Sequence, residues 1–277
     1  MMQEYECTMI ANDIPGSEGP CFNLDGELFM VAPNLGQILR VSEDGKVTEF
    51  ANTGGIPAGL QCDKRSNLWC ADMKLGILRT SPDGKVHHEV VKFEGKPMRG
   101  CNDCAFDSKG NLYVTAPAGS GEGKPEGEVY CRLRDGKVVR LDTGFQFCNG
   151  IAVTYDDRTL IVAETMTKSL WAYDIEAPGK LRNKRLWAKH PEPGLGPDGM
   201  DFDEKGNLLV AYWGGGTINV FDRMGKPVKR IRLPFEKPSN VHFGGPQNRT
   251  LYITEHDTNG LWKLEYEFAG QPQYCNR

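Results

Sequence analysis

Lys205-Gly-Asn-Leu208-Leu-Val-Ala211 reads as a tight turn running into an apolar strand, and the same pattern occurs six times along the chain. The other copies are Asp25-Gly-Glu-Leu28-Phe-Met-Val31, Arg65-Ser-Asn-Leu68-Trp-Cys-Ala71, Lys109-Gly-Asn-Leu112-Tyr-Val-Thr115, Asp157-Arg-Thr-Leu160-Ile-Val-Ala163 and Asn248-Arg-Thr-Leu251-Tyr-Ile-Thr254. Gly, Asn and Asp suit the turn, and the β-branched and aromatic residues suit the pleated strand. The leucines recur roughly every 40 to 48 residues, the spacing of four-stranded propeller blades. Behind most of them come a Gly-containing turn and a third strand, as at Gly36-Gln-Ile-Leu-Arg-Val41. A short Asp-Gly-Lys turn, as at Asp44, Asp83 and Asp135, then opens a fourth. Six units consume all 277 residues. The sequence therefore predicts an all-β fold: a six-bladed β-propeller of four-stranded antiparallel blades around a central channel, one domain over 1–277. The last unit lacks an outer strand, which the run before Glu18 is expected to supply.

Upstream in the same unit, Gly196-Pro-Asp-Gly-Met-Asp-Phe-Asp-Glu204 begins the innermost strand about ten residues before its leucine. The same step back in every unit, with a one-residue shift in two, reaches Glu18, Ala58, Asn102, Asn149, Asp198 and Asn240. Five of these six are carboxylates or amides, and being in phase they are expected to ring one end of the channel. The second strand returns to that end at Ala32-Pro33, Asp72-Met73, Ala116-Pro117, Glu164-Thr165, Tyr212-Trp213 and Glu255-His256, a predicted pocket wall. Polar strand starts ordinarily cap turns, but five in phase point to a shared ligand. Oxygen donors with two negative charges and no thiolate describe a hard cation, calcium before magnesium. His242 lies two residues after Asn240, and Asp201 at a similar depth below Asp198. They are read either as a hydrogen-bonded His–Asp pair or, with the Val241 carbonyl, as a second ion site.

Composition narrows the class. Charged residues make up 25%, the net charge is -4 and the pI near 5.8, which gives no support for nucleic acid, a partner that wants a basic face. No apolar run approaches membrane-helix length, and the acidic N-terminus lacks signal-peptide features, so a cytoplasmic protein is expected. Nine cysteines at irregular spacing, with Cys101 and Cys104 the one CxxC, read as reduced and mostly buried thiols. No serine or cysteine sits in a nucleophile elbow or triad pattern.

Long stretches also resemble a known family, the squid-type diisopropyl fluorophosphatases. They are Pro15-Gly-Ser-Glu-Gly-Pro20, Gly54-Gly-Ile-Pro-Ala-Gly-Leu-Gln-Cys-Asp63, Gly100-Cys-Asn-Asp-Cys-Ala-Phe-Asp107, Phe145-Gln-Phe-Cys-Asn-Gly-Ile-Ala-Val153, Asp198-Gly-Met-Asp-Phe-Asp-Glu204, Pro234-Phe-Glu-Lys-Pro-Ser-Asn240 and Thr254-Glu-His256. The resemblance spans essentially the whole chain, and the wider group includes regucalcin-like lactonases and gluconolactonases. It implies that Glu18, Asn102, Asn149 and Asp198 bind a catalytic calcium. Asp201, His242 and the Val241 carbonyl would hold a second, structural calcium. Ile56, Met73, Phe147, Thr165, Trp213, Ser239, Asn240 and His256 would line the substrate pocket. The implied reaction is hydrolysis of phosphorus–fluorine bonds in organophosphorus triesters, with Asp198 attacking phosphorus or positioning a water. The alternative is a calcium-dependent lactonase. Small-molecule organophosphates or lactones are the expected partners of a monomer, with neither nucleic acid nor membrane. Cys148 replaces a proline of the family, a change expected to loosen its loop or bare a thiol beside the metal. The loops after Pro33, after Pro117 and before Asp198 also differ.

Overall fold

The computed structural model describes residues 2–190 and 193–277, so part of the loop before Asp198 lies outside the described residues. Six sheets stand around a central channel as a six-bladed β-propeller. Blade one runs from its inner strand Glu18–Phe22 through Leu28–Ala32 and Gln37–Val41 to Val47–Asn52, each antiparallel to the last. The inner strands of blades two to six are Pro57–Cys62, Cys104–Phe106, Cys148–Val153, Gly196–Phe202 and Pro238–Gly244.

The ring closes as expected: Thr8–Ala11 pairs antiparallel with Gly260–Glu265 and completes blade six. Unexpectedly, Met2–Glu4 goes on to pair in parallel with Pro227–Arg232, giving blade five a fifth strand. The N-terminal segment thus ties the two last blades together.

Each blade is apolar on both faces because each is sandwiched by its neighbours, which explains why Leu28–Ala32, Leu68–Asp72 and Leu112–Ala116 are buried at every residue. One apolar cluster fills each blade interface. Cys21, Phe29, Leu60 and Leu68 join blades one and two. Val220, Phe243, Leu251 and Ile253 join blades five and six. Ile14, Met30 and Leu261 close six onto one. Burial at roughly 1.5–3 kcal/mol per large aliphatic side chain makes these interfaces the main stabilising term.

Candidate active site

At the channel end where the inner strands begin, pairing is irregular in five of the six blades. The register shifts between Glu18 and Cys21, Pro57 and Gly59, Cys148 and Ile151, Pro197 and Met200, and Pro238 and Asn240. A bulge inserts an extra residue and re-aims its side chain. Here it turns the ring residues toward the axis and lets Asp198 and Asp201, three apart, both face the channel.

Glycine after the ring residue brings the strands together. A Cβ on Gly19 would lie 2.5 Å from the Ala58 carbonyl oxygen, and one on Gly150 2.1 Å from that of Asp198. On Gly199 it would meet the Asn240 amide at 2.1 Å, and on Gly59 Asp103 at 2.6 Å. Each inner strand thus leans on the ring residue of the next.

Three carboxylates gather there. Asp198 and Asp103 are buried, and the Glu18 side chain is 16% exposed. Burial pushes Glu18 up to about 7, eased by the Gly19 N–H and the Asn240 and Ser239 side chains. Asp103 also rises to about 7, from burial first and the Glu18 charge next. Asp198 is driven well above the ordinary carboxylate range by burial, then by Glu18 and Asp103. Among the described residues no lysine or arginine pairs with any of the three. The basic side chain closest to them is His256, whose Nε2 lies 3.8 Å from Glu18 Oε1.

The neighbouring amides divide into two kinds. Asn240 is engaged at both ends: its Nδ2 donates to Glu18 Oε2 at 3.3 Å and its Oδ1 accepts from the Val241 N–H at 2.8 Å. It fixes Glu18. Asn149 donates to Thr165 Oγ1 at 3.2 Å and to Asp198, which leaves its oxygen for another partner. Thr165 in turn donates to the Pro197 carbonyl, and Thr115 to the Asn149 carbonyl at 2.7 Å. The Asn102 backbone is fixed by the Thr115 carbonyl and the Gly59 N–H.

The residues expected in the pocket wall divide by burial. Ile56, Met73, Phe147, Trp213 and His256 are at least partly exposed around the mouth. Thr165 and Ser239 are buried beneath it, and Ser239 Oγ donates to the Ser17 carbonyl and contacts Thr254. Asp72, Glu164 and Glu255, expected in the wall, are buried. They accept turn N–H groups: Ile56, Lys74 and Leu75 for Asp72, Gln146 for Glu164, and Asp257, Thr258 and Gly260 for Glu255. Strand alternation turns one residue of each pair outward and the next inward. Tyr212 likewise turns away, stacking on His190. The Trp213 indole donates to His256 Nδ1 at 3.1 Å, so the imidazole proton lies on Nε2, toward Glu18. Burial holds this histidine below its usual value, and it is neutral. Cys148 bares no thiol: it is buried, its Sγ lies 3.3 Å from the Glu128 carbonyl, and its thiol is pushed up to about 12. Its side chain fills the interface of blades three and four.

Asp103 was missed by the ring count, though a signal exists. It occupies the position after Asn102 where four other blades carry glycine, so an acid there stands out. Deeper in the channel, Asp201 Oδ2 lies 3.7 Å from His242 Nδ1, and burial lowers the histidine so that a neutral nitrogen is available. Asp201 also accepts from the Phe202 and Phe243 N–H groups and from the Gln273 amide, at 2.8, 3.0 and 3.0–3.1 Å.

A metal fits the upper site. Buried acids without a lysine or arginine partner, beside at least one amide oxygen left open, suit a hard cation, which would stabilise their ionised form. Among the described residues no three His, Cys, Asp or Glu side chains form a metal-binding group by themselves.

The sequence pattern of the SMP-30/Gluconolactonase/LRE-like region matches residues 88–257. The chain is 48% identical to diisopropyl-fluorophosphatase of Loligo vulgaris, over 97% of this chain and 94% of that one. It is 29% identical to pentonolactonase XacC of Haloferax volcanii, over 93% of each. Among solved structures, a calcium-binding regucalcin of Agrobacterium tumefaciens superposes with a TM-score of 0.85 at 19% identity, over 100% and 99% of the two chains.

Proposed function

The chain belongs to the SMP-30/gluconolactonase/LRE-like family, and from that premise we propose that it is a calcium-dependent hydrolase cleaving phosphorus–fluorine bonds in organophosphorus triesters. The observation that carries this is the group of carboxylates formed by buried Asp198 and Asp103 and largely enclosed Glu18, with no lysine or arginine paired to it among the described residues and braced by Asn149 and Asn240.

Glu18, Asp198 and the amide oxygens of Asn102 and Asn149 would hold the ion. Bound calcium supplies a Lewis acid for the phosphoryl oxygen and offsets the negative charge of the buried acids. Asp198 does the rest of the polar work. As a protonated acid it is no nucleophile, and as a carboxylate held by the Gly199 N–H and Asn149 it can attack phosphorus or orient the attacking water. The Thr165–Pro197 and Thr115–Asn149 bonds keep Asn149 from rotating away. Ile56, Met73, Phe147 and Trp213 give the ester groups an apolar wall, and His256, neutral and fixed by Trp213, presents an N–H beside Glu18. A second calcium is proposed at Asp201, His242 and the Val241 carbonyl, where it would share the carboxylate with Gln273. Similarity to a pentonolactonase favours lactone opening as a second reading, since a site that polarises P=O also polarises a lactone carbonyl.

The test is fluoride release from diisopropyl fluorophosphate with and without a calcium chelator, beside a lactone panel. Release that stops on chelation and returns with calcium is expected. Calcium-dependent lactone opening without fluoride would instead select the second reading.

A further inference from the structure

The C-terminal segment lies across the channel end opposite the candidate site and touches five blades. Cys275 packs with Cys62 of blade two. Tyr274 lies 4.7 Å from Phe106 of blade three, ring to ring. Gln271 reaches the Val153 carbonyl of blade four, and Gln273 reaches Asp201 of blade five. Gly270 bonds to Asn248 beside blade six, and Arg277 pairs with Asp157 at 3.5 Å. The segment is a strap, and its one thiol is Cys275.

Cys275 and Cys62 are both buried in the same blade interface and belong to one packed cluster, which also holds Cys21. The Cys62 thiol also faces the Asp63 carbonyl, 3.4 Å away. Cys275 lines a cavity of about 600 Å³ that opens to solvent beside Gly26, Glu43 and Pro246, so a small oxidant can reach it. We propose that Cys62 and Cys275 are an oxidisable dithiol, a modification site at which a hydroperoxide converts the strap's packed contact into a covalent one.

The chemistry balances. The Cys275 thiolate attacks a peroxide oxygen, giving a sulfenic acid and, from hydrogen peroxide, one water. The Cys62 sulphur then displaces the hydroxyl, forming the S–S bond and a second water. Two thiols lose two electrons and two protons, and the peroxide takes up both. The pair is asymmetric in the direction this needs. Cys275 lines the cavity that opens to solvent and Cys62 does not, so a peroxide meets Cys275 first and Cys62, enclosed between the blades, is the resolving thiol. Cys21, the third thiol of this interface, is pushed well up by burial and by Cys275.

The experiment treats the calcium-loaded protein with stoichiometric hydrogen peroxide, alkylates remaining thiols and maps peptides without reduction. The expected product joins Cys62 to Cys275 with loss of two hydrogens, reverses with dithiothreitol, and raises Tm by ~5 °C or more. In Cys275→Ser the cross-link should vanish, and in Cys62→Ser a sulfenic acid should be trapped on Cys275 by dimedone. Cys275 left fully alkylatable after peroxide, Cys275 paired with Cys21, or a cross-link that forms only after denaturation would each overturn the proposal.

Discussion

Asp198 is the residue on which charge, burial and proposed chemistry meet. It sits at 8% exposure against Glu18 and Asp103, a position that without a cation favours the neutral acid. Replacing it with asparagine keeps the volume and the capacity to accept the Gly199 N–H but removes the ionisable oxygen. Asp198→Asn should therefore lower fluoride release by roughly 100-fold or more, while the Tm of the calcium-free protein does not fall, because a crowded buried acid has been removed. Near-normal turnover would take Asp198 out of the mechanism. Asn240 is the complementary case. In the sequence it looks like one more ring member, yet both ends of its amide are committed, to Glu18 and to the Val241 N–H. Asn240→Ala should weaken calcium binding by roughly 10- to 100-fold, as loss of an outer partner of a ligand usually does. Calcium titration of the variant checks this, and unchanged affinity would mean that Glu18 is held by other groups. That polar residues stand at the inner-strand starts was legible from phase, although Asp103 escaped the count. Which of them had a free oxygen was not, since that depends on hydrogen bonds across blades such as Asn240 to Glu18, 222 residues apart.

The element that makes the site is the bulged start of the inner strand. The repeat of leucines disclosed the blades because each strand's apolar run is local. The bulges were hidden because they depend on pairing with the second strand, and they set aside the period of two by which Asp198 and Asp201 would face opposite ways. The glycines were visible as letters, but their purpose was not: Gly150 is needed because the Asp198 carbonyl of the next blade lies where its side chain would be. Gly150→Ala would force two backbones apart, since a carbonyl cannot rotate out of the way as a side chain can. Overpacking of this kind costs about 1–3 kcal/mol. The variant should show both a lower Tm and weaker calcium binding, because Asp198 moves with its backbone. Gly121→Ala, where a Cβ meets nothing within 4 Å, is the matched control and should behave as wild type. If both variants are silent, the inner strands have more slack than the 2.1 Å approach allows.

At the scale of the molecule, six blades converge on one axis and place Glu18, Asp103, Asp198 and Asp201 along it, so the propeller stores negative charge at its centre. Burial pushes Glu18 and Asp103 up to about 7, whereas in the unfolded chain they titrate near 4. Between those values the folded, calcium-free protein holds protons that the unfolded chain has released. Its stability is therefore greatest at low pH within this window and falls as pH rises through about 7. Calcium reverses the sign. It would bind ionised Glu18 and Asp198 and favour ionisation of Asp103 beside them, so its affinity should climb as pH rises through about 7. Melting curves of chelated and calcium-loaded protein between about pH 5.5 and 8.5 should diverge as pH increases, the chelated Tm falling while the loaded one holds. Calorimetry near pH 6.5 in two buffers of different ionisation enthalpy should register the released protons. A chelated Tm that stays flat or rises, with no buffer dependence, would show that these acids are already ionised without the metal. The charge at the axis would then be balanced within the chain, and the case for calcium as its natural counter-ion would fall with it.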